Sequence, residues 1–150
     1  MLNDLWHNGV LWCAIISWAI AQLLKVLFDY MKNRSFDATR LVGTGGMPSS
    51  HTALVVALTA AVALKSGMSS AEFAVAAILS SVVMYDATGI RRAAGRQAAA
   101  LNKIIKEMTD GHPVKEMHLK ELLGHTPFEV IAGAVLGVAV ALLLQSVGWL

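Results

Sequence analysis

Two histidines stand beside residues that can make them reactive. The first lies in Gly124-His125-Thr126-Pro127-Phe128-Glu129, where His125 and Glu129 are four apart. If a helix extends back to His125, both side chains share one face and the carboxylate can orient the imidazole. A histidine held that way is a good nucleophile or base. The same string also reads as a capping box, with Thr126 as N-cap, Pro127 at the first helical position and Glu129 reaching back. The two readings compete, because a cap at Thr126 leaves His125 just ahead of the helix. The second histidine, His51, ends the run Gly43-Thr44-Gly45-Gly46-Met47-Pro48-Ser49-Ser50-His51. Gly43, Gly45 and Gly46 let the backbone turn tightly and approach a ligand. Pro48 fits a first helical turn, and Ser49 or Ser50 can cap it. Free N–H groups and the positive end of the helix dipole then make an anion site suited to phosphate. A histidine beside bound phosphate can donate a proton to a departing oxygen. The plainer alternative is an ordinary glycine-rich loop followed by a capped helix.

Cations stand near both strings in the topology derived below. Lys25 and Lys32 close one apolar segment, and Asp86 with Arg91 and Arg92 closes another. Asp86 is suited to fixing an arginine. His7 and His118 read as solvent or interface histidines, and His112 as a turn residue. A His/carboxylate set of His51, Asp86, His125 and Glu129 offers zinc or another divalent ion a rival chemistry. It lacks a dense ligand motif.

The elements that must position these residues are apolar. The chain has 150 residues, enough for a single domain spanning 1–150, and is 56% hydrophobic with only 15% charged residues. Soluble domains carry about 25% charged residues. The mean hydropathy of +0.60 points towards lipid in the same way. A net charge of +2, with no interleaving of aromatic and basic residues, argues against a nucleic-acid partner. The single cysteine, Cys13, permits no intrachain disulfide. No Lys or Arg precedes the first apolar stretch, which argues against a cleaved secretory signal.

A membrane helix needs about 20 mostly apolar residues. Four segments come close: about Gly9 to Phe28, Ser50 to Gly67, Ala71 to Ile90, and Val130 to Leu150. The last has no charged residue; Lys65 and Asp86 shorten the charge-free parts of the second and third. The expectation is an all-α polytopic membrane bundle with about four transmembrane helices. Only a tight turn, Lys65 to Ser70, joins the second and third. The other two connections, about Asp29 to Ser49 and Arg91 to Glu129, are long and polar, and four passes put them on one side. That side holds Lys25, Lys32, Arg34, Arg40, Arg91, Arg92, Arg96, Lys103, Lys106, Lys115 and Lys120, against Lys65 alone opposite. The positive-inside rule then places both long loops in the cytoplasm and both termini outside. The candidate site therefore faces the cytoplasm.

The longer loop has internal order. Residues 91–108 put Ala94, Ala98, Leu101, Ile105 and Met108 at helical spacing with basic residues on the other face, a basic amphipathic helix. It can pack on the bundle or lie on the anionic inner leaflet. A turn at Asp110 to Pro113 and a short helix from about Val114 to Leu123 follow. In the fourth span, Gly133 and Gly137 form a small-xxx-small pattern. It suits close packing of that helix within the bundle or, alternatively, a homo-oligomer seam.

Taken together, Pro48-Ser49-Ser50-His51 and the later His125-x-x-x-Glu129 resemble the type 2 phosphatidic acid phosphatase superfamily, which includes the vanadium haloperoxidases. Lys25 with Lys32-Asn33 is loosely similar to that family's first motif. The stretches GGMPSSHTA, YDATGIRRAAG and LLGHTPFEVIAG resemble its small divergent branch more specifically, over most of the chain from Lys25 onward. The chain departs from the pattern in carrying Glu129 for Asp and Leu119 where an Arg stands six residues before the second histidine. Arg91 or Arg92 can supply that guanidinium. The resemblance implies an all-helical fold and phosphohistidine chemistry with no metal and no cofactor. On it, Lys25, Lys32, Arg91 or Arg92, Gly46, Ser49 and Ser50 hold the phosphate. His125, oriented by Glu129, attacks phosphorus, and His51 protonates the leaving alkoxide. The partners expected are membrane lipids and a lipid phosphate, with phosphatidylglycerophosphate foremost. A protein that binds or translocates lipid phosphates without hydrolysing them would need the same cationic pocket but not both histidines.

Overall fold

The computed structural model describes residues 2–34, 46–108 and 124–150. Gly43, Gly45, the turn expected at 110–113, the short helix at 114–123, His112 and His118 lie outside the described residues. Six helices and no strand occur among the described residues: α1 (Leu2–Trp6), α2 (Gly9–Asn33), α3 (Ser50–Ser66), α4 (Ala71–Thr88), α5 (Ile90–Met108) and α6 (Pro127–Ser146).

The helix ends follow from local chemistry. Asn8 caps α2 by accepting from the Leu11 N–H at 3.1 Å. Ser70 does the same for α4 from Phe73 at 3.1 Å. Each side-chain oxygen satisfies an N–H that the first helical turn leaves without a partner. Gly67, at φ 84°, ends α3 in a conformation that a side chain would oppose. The first span runs beyond the expected Phe28 to Asn33. The fourth starts earlier than expected, at Pro127, and stops at Ser146, where a turn carries the chain into Gly148 at φ 74°. Only Gly89 separates α4 from α5.

Gly9–Met31, Pro127–Ser146 and the run Ala71–Ile105 are long and apolar enough to cross a membrane; the apolar part of that run is α4, since α5, which supplies the rest, carries five Lys or Arg residues. The fourth apolar helix, α3, has 17 residues, which at 1.5 Å each gives about 25 Å, short of a ~30 Å hydrocarbon core. It is also the central element, packed against α6, α2 and α4. Its Ala53, Ala57 and Ala61 are fully buried, and their four-residue spacing makes one smooth face. Gly133 and Gly137 of α6 press on that helix. A Cβ at Gly137 would stand 2.7 Å from the Ala53 carbonyl oxygen and 2.8 Å from the Ala57 nitrogen. Helices associate in lipid through such close packing, since apolar burial gives little drive there.

Hydroxyls complete the contacts. Ser17 of α2 donates to the Ala53 carbonyl at 3.1 Å. Ser80 of α4 donates to the Val55 carbonyl at 2.8 Å and lies 2.7 Å from the Thr59 hydroxyl. Meanwhile the large apolar side chains Leu23, Val75, Ile78, Ile131 and Leu143 point outward and are exposed. A surface of that kind suits hydrocarbon and not water. At one end of the bundle Trp6 stacks on Trp12, with ring centroids 5.2 Å apart, and the Trp149 carbonyl packs on Gly9. The candidate site is at the other end.

Candidate active site

Three hydrogen bonds tie the four bundle helices together at the site end. Lys25 of α2 donates from Nζ to the Ser50 hydroxyl of α3 at 3.0 Å. The Ser49 N–H donates to the Glu129 carbonyl of α6 at 3.0 Å. The His125 N–H donates to the Ala87 carbonyl of α4 at 3.1 Å. Gly133 makes the second of these bonds possible. Any Cβ there would collide with the Ser49 carbonyl, so the bare backbone of α6 is what lets the α3 loop reach Glu129.

Glu129 takes both of the roles that compete for it. Its Oε2 lies 2.8 Å from His125 Nδ1 and accepts the Thr126 N–H at 3.2 Å. The Thr126 hydroxyl in turn accepts the Glu129 N–H at 3.3 Å, completing a capping box. The helix does not extend back to His125; it begins at Pro127. The carboxylate reaches past the cap to the residue before it, so an i,i+4 pair forms without a continuous helix. An ionised carboxylate only accepts, so in the neutral imidazole Nδ1 carries the proton and Nε2 keeps its lone pair. His125 is 5% exposed, so its orientation is fixed by packing as well as by that hydrogen bond.

Lys25 is likewise 5% exposed. A buried ammonium needs compensation, and Lys25 has the Ser50 hydroxyl and the charge of Glu129 nearby. Its stem passes Gly46, which adopts φ 84°; a Cβ on Gly46 would stand 3.9 Å from Lys25 Cγ. Two turns further along α2 is Lys32, in the last helical turn.

The glycine-rich string is organised differently from the expectation in two respects. Pro48 stands ahead of α3 and not in its first turn, because Ser49 is the N-cap and Ser50 the first helical residue. Ser49 is fully buried, and both of its polar groups are engaged within the protein. Its hydroxyl accepts from the Thr52 N–H at 3.4 Å and the Thr52 hydroxyl at 3.0 Å, and its N–H serves Glu129. Ser49 therefore supports the loop, and its N–H is committed to Glu129. His51, in the first turn of α3, is exposed. Asp86 is half-buried near the end of α4, and Arg91 and Arg92 occupy the first turn of α5. Hydrogen bonds join Lys25 to Ser50, Ser49 to Glu129 and His125 to Glu129. The other candidates share this end of the bundle by the placement of their helices.

Among the described residues, no three His, Cys, Asp or Glu side chains cluster as metal ligands. Thr52 and Ala87 are contributors that the sequence reading passed over. Thr52 is fully buried and holds the cap, and the hydroxyl-rich run Ser49-Ser50-His51-Thr52 could have drawn attention to it. Ala87 acts through its carbonyl alone, which no residue type signals.

A protein-family model described as "Divergent PAP2 family" matches residues 6–140. The chain belongs to that family. Among curated proteins it is similar to the uncharacterized membrane protein YuiD of Bacillus subtilis (strain 168), at 40% identity over 152 residues, covering 94% of this chain and 96% of the relative. No solved structure matches the chain. The match to the divergent PAP2 family spans every site element from Lys25 to Glu129, and it agrees with the all-helical bundle and its apolar exterior. It is compatible with a phosphatase-like role for a membrane protein.

Proposed function

We propose that this divergent PAP2 family protein hydrolyses a phosphomonoester on a membrane lipid, at the cytoplasmic face, through a covalent phosphohistidine. The observation that carries this reading is the pair of buried His125 and half-buried Glu129, 2.8 Å apart, in the same bundle end as the buried Lys25. Glu129 occupies Nδ1, which leaves Nε2 to attack phosphorus in line as the bond to the lipid oxygen breaks. His51 gives its proton to the departing alkoxide. Water then attacks the phosphohistidine, returning a proton to His51 and releasing inorganic phosphate and the free imidazole. Lys25, Lys32 and Arg91 or Arg92, with the loop at Gly46 and Ser50, offset the charge on the phosphoryl oxygens. Asp86 fixes an arginine. The basic asymmetry of the loops supports a cytoplasmic site, and hence an inner-leaflet lipid such as phosphatidylglycerophosphate.

The test is purified protein in lipid nanodiscs given phosphatidylglycerophosphate, with and without chelator, read by phosphate release. Substrate labelled with radioactive phosphate, stopped in alkali, should leave an acid-labile label on the wild-type chain and none on folded His125→Ala. His125→Ala should also lose at least ~100-fold in turnover. Near-normal turnover by folded His125→Ala would defeat the mechanism. Lipid phosphate binding without phosphate release would favour the non-enzymatic alternative.

A further inference from the structure

α5 is three-sided. Successive residues turn by about 100° around a helix, and on that wheel Ile90, Leu101 and Ile104 fall within about 60° of one another. All three are exposed, at 61%, 48% and 50%. Roughly a third of a turn away lie Gly95 and Asn102, seven residues apart, and these are the buried ones among the described side chains and glycine of the helix. A further third of a turn away lie Arg96 and Lys103, also seven apart and exposed. The protein thus covers a side of α5 built from glycine and asparagine. It leaves uncovered the side built from isoleucine and leucine. Gln97 is a polar intruder on that apolar side.

Position and charge say what meets the other two sides. α5 follows the apolar α4 after a single residue, Gly89, and starts at the end of α4 where the Ala87 carbonyl holds His125. It therefore leaves the hydrocarbon at the membrane boundary. Its sequence has five Lys or Arg residues, Arg91, Arg92, Arg96, Lys103 and Lys106, against one acid, Glu107. A helix with an apolar side and a basic side at that depth matches an interface whose headgroups are negative.

We infer that α5 is a membrane-surface arm: Ile90, Leu101 and Ile104 enter the bilayer interface, and Arg96 and Lys103 bind anionic phospholipid headgroups. The arm lies beside the site end of the bundle and gathers anionic lipid there. This assignment does not depend on the chemistry of His125.

Single cysteines test it in a Cys13→Ser background; Cys13 is fully buried, and serine retains a donor facing Ala57. An environment-sensitive fluorophore is attached at Leu101→Cys or, as a control on another side, at Ala99→Cys. The protein is placed in nanodiscs of phosphatidylcholine alone or mixed with phosphatidylglycerol, with and without shallow nitroxide-labelled lipid. The expected result is blue-shifted emission and nitroxide quenching for Leu101→Cys in the anionic discs, with Ala99→Cys unquenched. Both signals should weaken in high salt and in the Arg96→Glu/Lys103→Glu variant, whose fold is checked by circular dichroism. A water-exposed Leu101 probe in both discs would overturn the arm. So would a probe shielded from water but not quenched, which would mean that protein covers this side. Equal quenching in both disc types would overturn the anionic preference.

Discussion

Gly137→Ala adds one methyl group where α6 meets the α3 backbone directly, and its effect can be worked out from the structure. The new Cβ would stand 2.7 Å from the Ala53 carbonyl oxygen and 2.8 Å from the Ala57 nitrogen, where ordinary contact begins at 3.4 Å. Both neighbours are backbone, so no side chain can swing aside. The helices must part by about 0.6–0.7 Å or bend, an overpacking that costs ~1–3 kcal/mol. If the separation reaches the site end undiminished, the Ser49–Glu129 bond of 3.0 Å lengthens beyond hydrogen-bonding distance, a loss of about 1 kcal/mol. The better helix propensity of alanine returns up to about 1 kcal/mol. The net destabilisation is ~1–3 kcal/mol, or roughly 3–10 °C in melting midpoint.

The assay is thermal unfolding in detergent, with assembly mass by light scattering. Val135→Leu is the control, since Val135 is 64% exposed on the same helix; a surface change of this kind stays within about 0.5 kcal/mol. Gly137→Ala should melt lower than wild type and control at unchanged mass. Equal midpoints for Gly137→Ala and the control would show that the α3–α6 contact is looser than described. A clean shift from dimer to folded monomer would show instead that the glycines form a seam between copies.

Three further predictions address the site. Thr44→Cys in the Cys13→Ser background should resist an impermeant thiol reagent outside intact cells and react after permeabilisation; labelling from outside would reverse the orientation and remove the argument for an inner-leaflet substrate. His51→Ala should slow hydrolysis of alkyl phosphates far more than that of an aryl phosphate with a good leaving group, by on the order of 100-fold for the former; equal losses would exclude His51 as the acid. Thr126→Val should lower stability by ~1 kcal/mol through the lost cap and slow phosphohistidine formation, whereas Thr126→Ser should preserve both; wild-type behaviour of Thr126→Val would mean that the capping box does not hold the carboxylate.

Much of this end of the molecule was legible because membrane helices announce themselves by composition and because their order fixes which loops meet. Lys25, His51, Asp86 and His125 are far apart in sequence, yet four apolar runs joined by one tight turn and two long loops bring them to one end. The amphipathic register of residues 91–108 was legible for the same reason, since period and charge are local. What was not legible depends on backbone geometry. Nothing in the type of Ser49 says that its N–H will serve Glu129, and nothing in Ala87 says that its carbonyl will hold His125. Both bonds require the distance between helices, which Gly133 sets by what it lacks. The central position of α3 was hidden too. Its charge-free stretch looks weak as a membrane span, but α6, α2 and α4 cover much of its surface.

The choice posed for Glu129 between cap and relay dissolves for a specific reason. A carboxylate oxygen accepts more than one donor, and Oε2 takes the Thr126 N–H and His125 Nδ1 together. Capping alone would leave the carboxylate able to turn about its terminal bond. The histidine contact alone would leave a long side chain to be fixed by its own entropy. Made together, the cap holds Glu129 in the rotamer that the histidine needs, and Pro127 starts the helix at the residue that allows it. Placing His125 before the helix and not inside it has a further consequence. Its N–H is then free of the α6 ladder and can reach the Ala87 carbonyl, which ties the imidazole to α4 as well as α6. Tied to both helices, the imidazole has its position set by α4 and α6 together, and the proposed in-line attack on phosphate would depend on that placement.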